Sequence, residues 1–211
     1  MRLIMSVIAL TLSACAAVNV EHREKMPIAA ARLQAAGTPV VVNGVVTVAS
    51  GTLDEGFAVQ DASGGIYVSR TAGAPVRTGE QVHVSGTIVA PNKQIAIEPV
   101  GIGTMGTDSI PIPGEVRTGV VGPATEGRLI VVQGKITGDV IGDPPWGWKI
   151  YLDDGSGPLL VFIATATRIS IKPLRAGQQL RVTGFSGRYE QHTELLPRAP
   201  GDIIRQSGTG R

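Results

Sequence analysis

Three pieces of this chain occur twice in the same order, and that repetition restricts the fold more than any other feature. "VVVNGVVTV" (Val40–Val48) matches "IVVQGKITG" (Ile130–Gly138), with Gly44 on Gly134. "VQDASGGIYV" (Val59–Val68) matches "LDDGSGPLLV" (Leu152–Val161), with Asp61 on Asp154 and Ser63 on Ser156. "RTGEQVHVSG" (Arg77–Gly86) matches "RAGQQLRVTG" (Arg175–Gly184), with Gly86 on Gly184. The offset grows from 90 to 93 to 98, so the second copy carries two small insertions, within "VIGDPPWGWK" and "ATATRISIKPL". A fourth match at constant offset aligns Pro99 with Pro197. A fold built from two copies of one small unit follows.

Each copy alternates in period two between turn signals, as strands do. The first copy predicts strands over Val40–Val48, Gly56–Gln60, Gly65–Ser69, Gln81–Val89 and Gln94–Pro99. The second predicts Leu129–Thr137, Trp148–Asp153, Pro158–Ile163, Gln179–Phe185 and Glu190–Pro197. In "QDASGG" and "DDGSG" the aspartates cap a hairpin turn and the glycines supply positive φ. The same aspartates, Asp61, Asp153 and Asp154, are too few oxygen donors for a calcium loop. The composition agrees with short strands: 28 Gly, 14 Pro and only 4% aromatic residues in a chain of 211.

Five short strands per unit predict a small closed barrel. The pattern resembles the tandem bacterial OB-fold repeats of secreted nuclease-associated and envelope proteins: x-G-x-V, then "QDxxGGIYV", then "GxxVxVxG", then a strand ending near Pro. The first copy carries all of these, while the second has Asp153-Asp154 for Gln-Asp and Pro158 for the second Gly. The resemblance spans residues 38–106 and 127–204, about two thirds of the chain. It implies an all-β chain of two tandem five-stranded OB-fold-like barrels. That fold serves nucleic-acid, sugar and protein binding alike. The repeats of this kind that accompany nucleases leave the chemistry to a separate domain, and no such domain is expected within these 211 residues.

The expected organisation is a signal peptide over 1–14, a tether over 15–37, barrel 1 over 38–106, a linker over 107–126, barrel 2 over 127–206 and a polar tail over 207–211. Leu3–Leu12 is an apolar stretch too short to span a bilayer. It ends in "LSAC", which resembles a bacterial lipobox. The resemblance implies lipidation of Cys15, the only cysteine, and residence at the periplasmic side of the outer membrane. An ordinary signal peptide with a stray cysteine is the competing reading. Within the tether a short helix is predicted over Pro27–Ala36, with Pro at its first turn and Gly37 past its end. "TDSIPIPGEVRTGVVGPATEG" reads as a linker with little regular structure.

The chain carries no catalytic signature: no G-x-S-x-G, P-loop or Ser/His/Asp order. His22, His83 and His192 show no zinc-ligand spacing, so no cofactor or metal is expected. "VGIGTMG" contains G-x-G-x-x-G at Gly101, Gly103 and Gly106. The dinucleotide fingerprint needs a helix opening inside it, and Pro111 and Pro113 forbid an ordinary one. The three glycines therefore read as the exit from barrel 1.

Candidate ligand-binding residues follow from strand parity. Ile150 and Leu152 point inward, which turns Lys149 and Tyr151 outward on the second strand of copy two. Trp146 and Trp148 lie in the insertion leading into that strand. They stand either as stacking platforms for bases or sugar rings or as a plug of the barrel end, and Trp148 has inward parity. Arg188, Tyr189 and His192, in the turn between strands four and five, join the set. The equivalents in copy one, Tyr67, Arg70 and Lys93, are poorer, so binding is expected in copy two. The expected ligand is single-stranded nucleic acid, then oligosaccharide; the alternative role is an adaptor contacting another envelope protein. A formal net charge of +2 opposes tight nucleic-acid binding, because phosphate neutralisation supplies most of that affinity.

Overall fold

The computed structural model describes residues 24–71, 73 and 75–206. In the first repeat β1 (Pro39–Val48), β2 (Phe57–Gln60), β3 (Gly65–Val68), β4 (Glu80–Val89) and β5 (Ala96–Thr107) close in the order β1-β2-β3-β5-β4. Every pairing is antiparallel except β3 with β5, which run parallel through Tyr67↔Ala96 and Val68↔Ile97. β4 buries alternate residues, as a strand with one face on a core must. Val42, Val46, Phe57, Ile66, Val84 and Ile97 meet inside.

The second repeat comprises β6 (Gly114–Glu115), β7 (Leu129–Ile136), β8 (Ile141–Asp143), β9 (Gly147–Asp153), β10 (Leu159–Ala164), β11 (Gln179–Tyr189), β12 (His192–Leu196) and β13 (Ile203–Arg205). β7, β9, β10, β12 and β11 form the same barrel, closed by β11 on β7, again with one parallel pairing, β10 with β12. The chain is thus two tandem OB-fold-like barrels. The aligned Gly86 and Gly184 explain themselves here: a Cβ on them would lie 2.3 Å from the Glu98 carbonyl oxygen and 2.7 Å from that of Leu196. Strands four and five of each barrel cross too closely for a side chain.

The structure departs from the sequence reading in three places. "VGIGTMG" is no exit: Gly101, Gly103 and Gly106 lie inside β5, opposite Ser85, His83 and Gln81 of β4. The glycines let the strand bend while staying paired, through two register shifts and a φ of 142° at Gly106. In the second barrel Pro200 interrupts the equivalent stretch, which becomes β12, a 3₁₀ turn and β13. Second, the helix α1 is only Ile28–Ala31, because the backbone after it turns back to reach Gly37 at φ 88°.

Third, the segments read as tether and linker each strap a barrel. Residues 26–37 and 116–127 follow one path at an offset of 90. Met26 N–H donates to the Val41 carbonyl and Val116 N–H to that of Val131, both at 2.9 Å. Ile28 N–H donates to Asp61 Oδ2 at 2.9 Å, and Thr118 N–H to Asp154 Oδ2 at 3.4 Å. Ala29 and Gly119 N–H donate to Ser63 and Ser156 Oγ at 3.0 and 2.8 Å. Both straps end on a glycine with positive φ, 88° at Gly37 and 86° at Gly127. The turn aspartates thus do two jobs: each caps its own turn, as Asp61 Oδ1 does for Ser63 N–H at 2.8 Å, and each holds the preceding strap.

The barrels pack against one another. Val48, Ala58, Tyr67 and Ala96 of the first meet Phe185 and Leu196 of the second. The Tyr67 and Phe185 rings lie 5.8 Å apart at 50°, a favourable tilted pair. Leu129 N–H, buried, donates to Gln60 Oε1 at 2.8 Å. Arg198 donates to the Thr47 carbonyl at 2.8 Å while its guanidinium forks onto Asp202.

Candidate binding face

In each barrel one row of side chains crosses the outside of strands two, three and five. In the first barrel the row is Ala58–Tyr67–Ala96. At the repeat offsets the second barrel has Tyr151–Leu160–Glu194. The first row is buried beneath Phe185 and Leu196. The second is open, with Tyr151 40% exposed. Next along, Phe162 stands opposite Lys149 and is partly exposed.

The insertion before β9 is a hairpin. β8 pairs with β9 through Ile141↔Lys149 and Asp143↔Gly147. Trp146 sits at its tip, 71% exposed, so the plug role does not apply to it. Trp148 shares the parity of the buried Ile150 and Leu152 and is itself half-buried. Lys149 Nζ reaches Asp143 Oδ2 at 2.6 Å. The hydrogen bond with Asp143 raises the lysine pKa above its ordinary value. Glu194 ends the row on β12, half-buried, beside the hollow that Tyr67 and Phe185 line; burial raises its carboxyl to about 7, opposed by the charge of Lys149.

The seven residues singled out from sequence do not converge on one point. Trp148, Lys149 and Tyr151 lie along β9, with Trp146 at the tip beyond. Tyr151 and His192 share a shallow groove of about 260 Å³ beside Thr118 and Thr193. Tyr189 is 53% exposed and faces a second hollow with Asp54, Tyr67 and Phe185. Arg188 lines a third, between the barrels, with Lys93. Burial raises the Asp54 carboxyl above its ordinary value, and the Tyr67 hydroxyl donates to it. Phe162, Leu160 and Glu194 belong to the face and were missed; outward parity on the third and fifth strands marked them. Cys15 and His22 lie outside the described residues.

Among the described residues no group of three or more His, Cys, Asp or Glu side chains is placed to hold a metal ion. No helix among them is long and apolar enough to cross a membrane. The turn carboxylates are engaged instead. Asp154 is held well below the usual carboxylate range by hydrogen bonds, first from the Ser156 side chain. At Asp61 burial raises the pKa, but donors from Ser63, Ile28 and Gly64 outweigh it and the net shift is downward.

No family model and no curated protein matches the chain. Among solved structures it is similar to fission yeast Pot1 with ssDNA, at TM-score 0.44 and 8% identity over 90% of this chain and 91% of that one. A murine DNA binding protein bound with ds DNA is similar at TM-score 0.37 and 12% identity, covering 82% and 98%. The single-stranded DNA binding protein from Thermus aquaticus is similar at TM-score 0.31 and 15% identity, covering 84% and 97%.

Proposed function

We propose that this chain is a non-enzymatic binding module, lipid-anchored through Cys15 in the cell envelope, whose second barrel binds single-stranded nucleic acid. One observation carries the reading: the outer face over strands two, three and five is covered in the first barrel and open, aromatic and hairpin-flanked in the second. Flat exposed rings on a sheet suit stacking of successive bases. Trp146, Tyr151 and Phe162 supply those rings, with His192 at the groove's end. The face itself holds one lysine against two carboxylates, Asp143 and Glu194, so the affinity is modest and stacking carries much of it. The periplasmic side of the outer membrane is the proposed location.

The test is fluorescence anisotropy of labelled single strands with residues 16–211, titrated with salt. Binding at low salt, weakened in Trp146→Ala at an unchanged Tm, supports the reading. Absence of binding at low salt overturns it, and binding of an oligosaccharide instead replaces the ligand. Palmitate labelling that is equal in wild type and Cys15→Ser refutes the anchor. A second reading, an adaptor for another envelope protein, is favoured by a different observation. The equivalent row of the first barrel already serves as a protein contact, and Ile112, 91% exposed, adds apolar surface elsewhere. A partner retained by wild type and lost by Tyr151→Ala, without strand binding, would substitute this reading for the first.

A further inference from the structure

Between the barrels lies a cleft of about 280 Å³. Its walls carry Arg32 from the first strap, Lys93 from the β4–β5 loop, Arg128 at the entry to β7 and Arg188 from β11. The carboxylate among its lining residues is Glu126, and that group is buried and engaged. It takes an ion pair from Arg32 at 3.1 Å and the Ile95 N–H at 3.2 Å. Among the described residues no carboxylate stands within ion-pair distance of Lys93, Arg128 or Arg188.

These cations are positioned by backbone. Arg128 donates to the Ser63 carbonyl, and Arg188 Nε to that of Glu190 at 3.0 Å. Lys93 follows Asn92, and both non-glycine residues are left-handed, at φ 65° and 49°. That backbone is unfavourable by itself and is held by the second barrel. Glu190 N–H donates to the Asn92 carbonyl at 2.6 Å, and Arg188 N–H to Gln94 Oε1 at 3.0 Å. Like charges brought together in a partly desolvated cleft repel, and an anion relieves that repulsion.

We infer that this cleft is an anion subsite that takes phosphate groups of a bound strand. The choice of a strand rests on the function proposed above; the subsite itself rests on the cation cluster. The two hollows are joined by strand pairing at the β11–β12 hairpin. Thr193 lines the groove of Tyr151 and His192, and Arg188 is its direct partner. A strand that rounds this hairpin from the stacking face would reach Arg188, then Lys93 of the other barrel. Binding thus involves both repeats, although the bases stack on one.

The experiment compares wild type, Trp146→Ala and the double variant Lys93→Gln/Arg188→Gln, which gives up the Arg188 Nε contact to the Glu190 carbonyl but leaves the main-chain N–H contacts of Arg188 and Glu190 in place. Two readouts are taken: the salt dependence of strand binding, and the Tm with inorganic tripolyphosphate. For a single strand each neutralised phosphate contributes about 0.7 to the slope of log K against log salt. The double variant is expected to lower that slope by about 1.4, and Trp146→Ala to lower affinity at unchanged slope. Tripolyphosphate at a hundredfold excess over Kd is expected to raise the wild-type Tm by about 5 °C and the double variant's by much less. An unchanged slope together with equal tripolyphosphate stabilisation of both proteins overturns the subsite and leaves the stacking face standing. Tripolyphosphate binding that needs Lys93 and Arg188, with no strand binding by wild type, upholds the subsite and removes the nucleic-acid function.

Discussion

Replacing Gly65 by alanine tests whether the barrels form one rigid body. The added Cβ would lie 1.9 Å from the Gly127 carbonyl oxygen and 2.5 Å from its carbonyl carbon. Carbon and oxygen normally approach no closer than about 3.3 Å, so the backbone entering β7 must retreat by more than an ångström. Leu129 N–H, 2.8 Å from Gln60 Oε1, then loses its partner inside the interface. An orphaned buried amide costs about 1–3 kcal/mol and the forced displacement about 1–3 kcal/mol, so a loss near 4 kcal/mol is expected. Gly64→Ala is the control, because its Cβ would be 3.4 Å from the nearest atom, in Ala29, an ordinary contact. Urea unfolding is followed by far-ultraviolet dichroism for the whole chain and by tryptophan fluorescence for the second barrel, which holds both tryptophans. Wild type should give coincident transitions. Gly65→Ala within about 1 kcal/mol of wild type, or no worse than Gly64→Ala, would refute the close approach.

Other measurements probe the remaining contacts. Phe185→Ala, which empties a site only 2% exposed against Tyr67, should cost about 3–4 kcal/mol and separate the two urea transitions. Glu194 titrates near 7 in the folded chain against an ordinary 4.5. A raised carboxyl pKa stabilises fully below the unfolded value, so stability should fall as pH rises from about 4.5 through 7, by on the order of 3 kcal/mol. Glu194→Gln should flatten that slope, and parallel curves for the two proteins would contradict the assignment. Asp61 has the opposite sign: its lowered pKa gives stability above the unfolded value that is lost on acidification. Below about pH 4 the first strap should become a protease target, and Asp61→Asn should show the same cleavage at pH 7.

The strands were legible because β structure writes itself locally, in period two and turn residues. β1 was expected over Val40–Val48 and spans Pro39–Val48. The aspartate turns were legible for the same reason. The straps were not. Residues 26–37 and 116–127 share little beyond Gly37 and Gly127, because they are held through backbone N–H groups that any residue possesses. Their side of the contract is silent, and the visible side, Asp61 and Asp154, reads simply as a turn. The β5 extension was hidden by glycines that signal a break locally but here permit a paired bend. On the candidate face, the outward position of Tyr151 was legible from parity, yet the covering of its counterpart Ala58 was not. That covering depends on Phe185, more than a hundred residues away in sequence.

The first strap also sets the length of a leash. If Cys15 carries the lipid, ten residues, 16–25, separate it from the first strap hydrogen bond at Met26. Fully extended, such a stretch reaches no more than about 36 Å, roughly the width of one small domain. The barrels would then work close to the bilayer surface. They could engage ligands or partners within a shallow layer above the lipid headgroups, but could not reach across a wide compartment.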